Sequence, residues 1–276
     1  GVSDEWYLYT DPNHTNKEFL HLSSPMFKSN IYLTDPSNAG WQQYLAQRNR
    51  DVYQVFDFDG YHIDQLGNRD RTLYDYSGQS VSLPAAYPEF INAMKADMPD
   101  KKLIMNAVNQ YGQQNIASSP VDFLYTEVWG PNDDFEDLAR IINDNNAFSN
   151  NSKNTVLAAY LNYDMAGSSG YFNMPGVLLT NSVIFAFGGS HLELGEHMLA
   201  TEYFPNNNLQ ISGQLRDALI SYYDFLVAYQ NLLRDGGQLN TPDLSCSNTD
   251  VSFDSWPAQP GKVAFTGREF EHRQVI

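Results

Sequence analysis

Cysteine occurs once in the 276 residues. Cys246 therefore has no partner within the chain, and no disulfide framework holds the fold. Long apolar runs are missing as well. The longest, such as Val156–Ala159 and Val183–Phe187, are strand-sized and fall far short of the roughly 18–20 residues that span a membrane. Positive charge is scarce: 16 Lys and Arg stand against 33 Asp and Glu, for a formal net charge of −17. A field of that sign repels phosphate backbones, and no Lys/Arg cluster counters it, which excludes nucleic acid as a partner. A neutral polymer is indifferent to the field. No glycine-rich phosphate loop follows an apolar run, which argues against a nucleotide-binding doubly wound sheet. Neither a Ser-His-Asp nor a cysteine-based nucleophile stands out, and no cofactor or metal set is expected. No leader pattern opens the chain, which does not start with Met; a mature form or a fragment is expected.

What the chain has in quantity is aromatic side chains, with 18 Tyr, 16 Phe and 4 Trp. Such rings fill a large core, and they also suit a cleft in which sugar faces stack on aromatic planes. Apolar runs that end in polar residues alternate with helical patterns. The runs are Tyr61–Asp64, Lys102–Val108, Val121–Trp129, Thr155–Tyr163 and Ser182–His191, with a short segment at Met174–Leu179 leading into the last. Helices are expected near Asn38–Arg50, Pro84–Met98 and Phe135–Asn145. A longer one, from about Ser212 to Arg234, carries Leu215, Leu219, Tyr222, Leu226, Tyr229 and Leu233 at helical spacing and stops at Asp235-Gly236-Gly237.

Strands alternating with helices imply a parallel sheet with crossover helices. Polar residues finish strand after strand: Asp64, Asn106, Glu127, Asn162 with Asp164, then His191 and Glu193. In a (β/α)₈ barrel those ends gather on one face, where such enzymes keep their sites. Only five strand–helix units are visible, so the expected α/β fold is a partial TIM barrel over residues 1–236. Residues 237–276 read as the truncated start of an all-β domain, with strands at Lys262–Thr266 and Arg273–Ile276.

Two carboxyls on facing strand ends suit glycoside hydrolysis, in which one attacks the anomeric carbon and the other protonates the leaving oxygen. Asp64 closes Gly60-Tyr61-His62-Ile63-Asp64 and Glu127 closes Phe123-Leu124-Tyr125-Thr126-Glu127. Spacing alone serves equally well for helix caps or surface charges in strand–helix loops. Asp57 and Asp59 precede the first strand and belong at the opposite end. His191 and Glu193 suit hydrogen bonds to sugar hydroxyls, a brace for the loop, or two ligands of a metal lacking a third. Asn106 and Asn162 suit either hydroxyl binding or satisfaction of strand-end backbone. Trp129 is an apolar wall beside Glu127.

Taken in order, FDGYHIDQLG, LIMNAV, DFLYTEVW, LAAYLNY, FNMPGVLLT, FAFGGSHLELGEHML and YYDFLVAYQNLLRD resemble glycoside hydrolase family 66, which holds dextranases and cycloisomaltooligosaccharide glucanotransferases. The resemblance implies barrel strands four to eight, with strands one to three and an N-terminal β-domain outside the chain. It also implies Asp64 as nucleophile and Glu127 as general acid/base of a retaining reaction on α-1,6-glucan such as dextran. Asn106, Trp129, Asn162, Tyr163, Asp164, His191 and Glu193 become candidate substrate-binding residues. Cyclising members carry a carbohydrate-binding module inserted after strand seven; here Tyr163 runs through Asp164–Gly170 to Phe172 without one, as in an endo-acting dextranase. A cyclising glucanotransferase and a non-catalytic glucan-binding fragment are the alternatives. A secreted or cell-surface bacterial location is expected.

Overall fold

A computed structural model describes residues 2–22, 27–192, 199–202, 208–240, 243–247 and 252–276. The chain is mixed α/β and divides into two compact units, Gly1–Tyr125 and Thr126–Ile276.

In the first unit, strands Gly60–Ile63 and Lys102–Met105 pair in parallel, with Tyr61 opposite Leu103 and Ile63 opposite Met105. Gly60 allows this pairing to start, because a Cβ there would run into the backbone of Lys102. Asn106 extends the ladder. Its N–H donates to the carbonyl of Ile63 at 2.9 Å, and it forms a parallel bridge with Tyr125. Helix Ala39–Tyr53 begins where the Asn38 side chain accepts the N–H of Trp41. Helix Leu83–Asp97 has Pro84 in its first turn and buries Leu83, Ala86, Tyr87, Phe90, Ile91 and Met94, the three- and four-residue spacing of one apolar face. Helix Leu83–Asp97 lies between the two strands in the chain and makes the crossover that a parallel pair requires.

A second sheet has the strand order Ser190–His191, Thr155–Ala159, Leu124–Val128, the last strand entering the second unit at Thr126. The first two are parallel, with Ser190 opposite Val156 and His191 opposite Leu157. Helix Phe135–Phe148 opens on a reciprocal capping box between Asp134 and Asp137, satisfying two backbone donors at once. Its Leu138, Ile141 and Ile142 share one core with Leu157, Ile184, Phe187 and Leu226. After helix Gly213–Ala228, short strands Gln238–Leu239, Arg268–Phe270 and Arg273–Val275 form an antiparallel meander, and Phe253–Ser255 pairs with Val263–Phe265.

Sequence expectations need correction at two of the later helices. Ser182–Phe187 is not strand: helix Met174–Ala186 takes up that stretch, capped by Asn173, and the strand that follows is only Ser190–His191. The segment's apolar residues are spread around the helix without a single stripe, so periodicity does not separate it from a buried strand. The helix expected over Ser212–Arg234 is broken at Tyr229, with a short second piece at Gln230–Leu233. No helix among the described residues is long and apolar enough to cross a membrane.

Candidate active site

Asp64 follows strand Gly60–Ile63 directly and is exposed. Its Oδ1 accepts two hydrogen bonds, from the Asn106 side-chain amide at 3.0 Å and from the N–H of Gln65 at 3.0 Å. Asn106 is itself buried, with 3% of its surface exposed, so the donor that meets Asp64 is fixed by the ladder. Gln65 clasps the turn: its Nε2 donates to the Asn106 carbonyl at 3.0 Å, and its Oε1 accepts from Tyr87 and from the N–H of Gly67. Burial pushes the Tyr87 phenol pKa far up, which keeps it a donor at any working pH. Gly67 has φ of 71°, a conformation that favours glycine and turns the loop back on itself. Register alternation sends Tyr61, Ile63 and Met105 to the helix side of the strands. There they line a cavity of about 220 Å³ in which Asp64 is the one charged wall residue among the described residues.

Glu127 lies one residue before the end of strand Leu124–Val128 and is half-buried. The Tyr160 hydroxyl donates to its Oε1 at 2.6 Å. Trp129 packs its ring on Tyr160 at 5.1 Å and edge-on to Tyr163 at 5.3 Å, and the two tyrosine rings are 6.0 Å apart. Tyr163 is anchored in turn, its hydroxyl donating to Oε1 of Glu202 at 3.0 Å, while the Thr201 hydroxyl donates to Oε2 at 2.9 Å. The structure thus brings Glu127, Trp129 and Tyr163 into one aromatic cluster.

The remaining candidates are placed differently. Asn162 has φ of 54° and begins the short helical turn Tyr163–Met165; its Oδ1 accepts the N–H of Asn173 at 3.3 Å. Asp164 sits exposed on that turn. Neither ends a strand, because the strand expected to run to Tyr163 stops at Ala159. His191 is 4% exposed, with Nδ1 2.7 Å from Oδ1 of Asn181 and Nε2 2.8 Å from the Ala159 carbonyl. Both ring nitrogens are used inside the protein, so His191 braces its strand end instead of facing a ligand. Glu193 lies outside the described residues. No group of three His, Cys, Asp or Glu suited to a metal occurs among the described residues. A larger polar cleft, of about 820 Å³, opens at the other end of the second unit's strands, near Asn154 and Gly188; among the described residues Asp235 is the only acid in its wall, and these supply no carboxyl pair.

Sequence reasoning missed Tyr160, Gln65 and Glu202. Tyr160 had a readable signal. It is the first residue past the true strand end, the position that Asp64 and Asn106 hold after their own strands.

The family model for glycosyl hydrolase family 66 matches residues 1–276. The chain belongs to glycosyl hydrolase family 66. Among curated members, it is 26% identical over 371 residues to a cycloisomaltooligosaccharide glucanotransferase of Niallia circulans, covering 85% of this chain and 38% of the relative. It is 27% identical over 290 residues to a dextranase of Streptococcus salivarius, covering 88% of this chain and 35% of that one. The chain therefore spans well under half the length of these family 66 relatives. Its fold is that of a cycloisomaltooligosaccharide glucanotransferase from Paenibacillus sp. crystallised with cycloisomaltoheptaose. The TM-score is 0.82 at 23% identity, over 98% of this chain and 58% of that one.

Proposed function

We propose that this chain is the greater part of the catalytic barrel, strands four to eight, of a retaining endo-hydrolase of α-1,6-glucosidic linkages in dextran. On this reading residues 237–276 begin an all-β domain. The observation that carries the proposal is the different support given to two strand-end carboxyls: Asp64, held by neutral donors in the open, and Glu127, held by a phenol among aromatic rings. In a retaining reaction the first is suited to attack the anomeric carbon and the second to protonate the leaving oxygen. Bond formation from Asp64 to C1 accompanies cleavage of the C1–oxygen bond, with the Glu127 proton passing to the departing oxygen. Glu127 then takes a proton from water as the water oxygen bonds to C1 and Asp64 is released. Trp129 and Tyr163 supply apolar faces on which a pyranose ring stacks. A polymer such as dextran is handled outside the cell, which favours an extracellular location.

Cyclising transfer is the second reading, since relatives of both names match. One difference between two of the alignments supports the hydrolytic reading. The 371-position match to the glucanotransferase takes in no more of this chain than the 290-position match to the dextranase. The former relative thus carries a far larger share of positions with no counterpart here. Product analysis on dextran with the natural full-length protein tests the choice. Linear isomaltooligosaccharides from early in the reaction are expected; cyclic products as the main early species would replace hydrolysis with cyclisation.

A further inference from the structure

We infer that Tyr160 is a positioning residue for proton transfer by Glu127. The inference rests on the reading of Glu127 as general acid/base. The O–H···O distance of 2.6 Å is in the range of hydrogen bonds to an ionised carboxylate. Three features keep the hydroxyl in place. Tyr160 directly follows strand Thr155–Ala159, which is hydrogen-bonded beside the strand that carries Glu127. Its ring is held between Trp129 and Tyr163, with interplanar angles of 54° and 55°. Tyr163 is in turn hydrogen-bonded through its hydroxyl to Glu202.

A glutamate has three side-chain torsions, and a strand fixes only the direction of the first bond. Unheld, the carboxyl samples several orientations, and only some aim its proton at a glycosidic oxygen. The Tyr160 hydrogen bond restrains one carboxyl oxygen and so narrows those orientations. A phenol both donates and accepts, so the contact survives the whole cycle. In the first step the Glu127 proton moves to the glycosidic oxygen as the C1–O bond breaks. The phenol keeps its own proton and donates it in a hydrogen bond to the carboxylate that remains. In the second step Glu127 takes a proton from water as the water oxygen bonds to C1. Tyr160 gains and loses no proton in either step.

The test compares two substrates in the natural full-length enzyme: dextran, whose sugar leaving group needs a proton, and 2,4-dinitrophenyl α-isomaltoside, whose phenolate does not. Tyr160→Phe keeps the ring in the aromatic cluster and removes only the hydroxyl. It is expected to lower kcat on dextran by about ten- to a hundredfold with KM within about threefold, a part of what general acid catalysis contributes. The pre-steady-state burst from the activated substrate is expected to stay within about twofold. Replacing Tyr160 by 4-aminophenylalanine returns an N–H donor to the same place and is expected to restore dextran turnover to within about threefold of wild type. An equal fall on both substrates, an unchanged kcat on dextran, or no restoration by the amino analogue would overturn the inference. Glu127→Gln separates this from the parent reading. If that variant hydrolyses dextran like wild type, the acid/base assignment itself is wrong. If it loses dextran and keeps the burst while Tyr160→Phe shows no such selectivity, only the role of Tyr160 falls.

Discussion

Asp64 and Glu127 share a position in the fold pattern and little else. Asp64 is exposed, and what meets it is a side-chain amide and a backbone N–H. Both are neutral donors, and Asn106, which supplies the amide, is a buried member of the ladder. Glu127 is half-buried under a phenol whose ring belongs to an aromatic group of three. One carboxyl is oriented by backbone geometry, the other by packed rings. The difference suits a division of labour: a carboxylate that must attack along one line needs fixed, polar, neutral support. A carboxyl that gives and takes a proton needs a partner able to serve either form. Environment, more than residue type, separates two acids in a two-acid mechanism.

The largest test of that comparison is to delete each carboxyl. Asp64→Ala is expected to lower dextran hydrolysis by at least about 10⁴-fold, because the covalent intermediate no longer forms. Azide then displaces the leaving group of an activated α-glucoside directly and gives a β-glucosyl azide. Glu127→Ala still forms the intermediate from an activated substrate, and azide opens it to an α-glucosyl azide, since each displacement inverts the anomeric centre. Chromatographic and NMR identification of the two azides decides the matter. The same anomer from both variants breaks the division of roles, and wild-type-like hydrolysis by Asp64→Ala ends it.

A smaller effect sharpens the comparison on the Asp64 side. Asn106→Ala removes the amide donor but leaves the Asn106 backbone bonds to Ile63 and Gln65 in place. Loss of one oriented donor is expected to lower kcat/KM by about ten- to a hundredfold. The loss should fall on dextran and on a dinitrophenyl substrate alike, because the nucleophile is needed for both. A defect confined to dextran would mean that Asn106 serves the proton-transfer side instead.

Much of this arrangement is legible in the residues themselves. Asp64 and Glu127 sit in short apolar runs with dense flanking motifs, and strand-sized runs spaced by helical patterns imply a parallel α/β chain. What escaped the sequence has physical reasons. Helix Met174–Ala186 has its apolar residues spread around it, so it carries no helical stripe to distinguish it from a buried strand. The end of strand Thr155–Ala159 is not marked by composition, because Tyr160 and Leu161 continue the apolar run. A shift of a few residues in that boundary moved attention from Tyr160 to Asn162 and Asp164. His191 ends its strand as expected, yet its partners Asn181 and Ala159 are contributed by a helix and a neighbouring strand, and contacts of that kind are invisible to local pattern.

The smallest expected effect concerns the scaffold on which Asp64 depends. Asp122 ties down the start of strand Lys102–Met105: its Oδ2 accepts the N–H of Leu103 at 2.8 Å and its Oδ1 accepts from Lys102 at 2.9 Å, with Lys95 3.7 Å away. Burial raises the pKa of this carboxyl, but those hydrogen bonds and the two lysine charges outweigh it, and the net shift is downward. A carboxyl whose pKa is depressed in the folded protein contributes stability that is fully present above its unfolded value, about 3.9. That contribution disappears as pH falls through the lower folded value. Asp122→Asn is therefore expected to cost on the order of 1 kcal/mol at pH 7, a modest figure because the pair with Lys102 is solvent-screened. The difference from wild type should shrink as the pH is taken below about 4. Urea unfolding of both proteins across that range measures it. A stability difference that grows toward low pH would have the wrong sign and would remove Asp122 from the support of the Asp64 side.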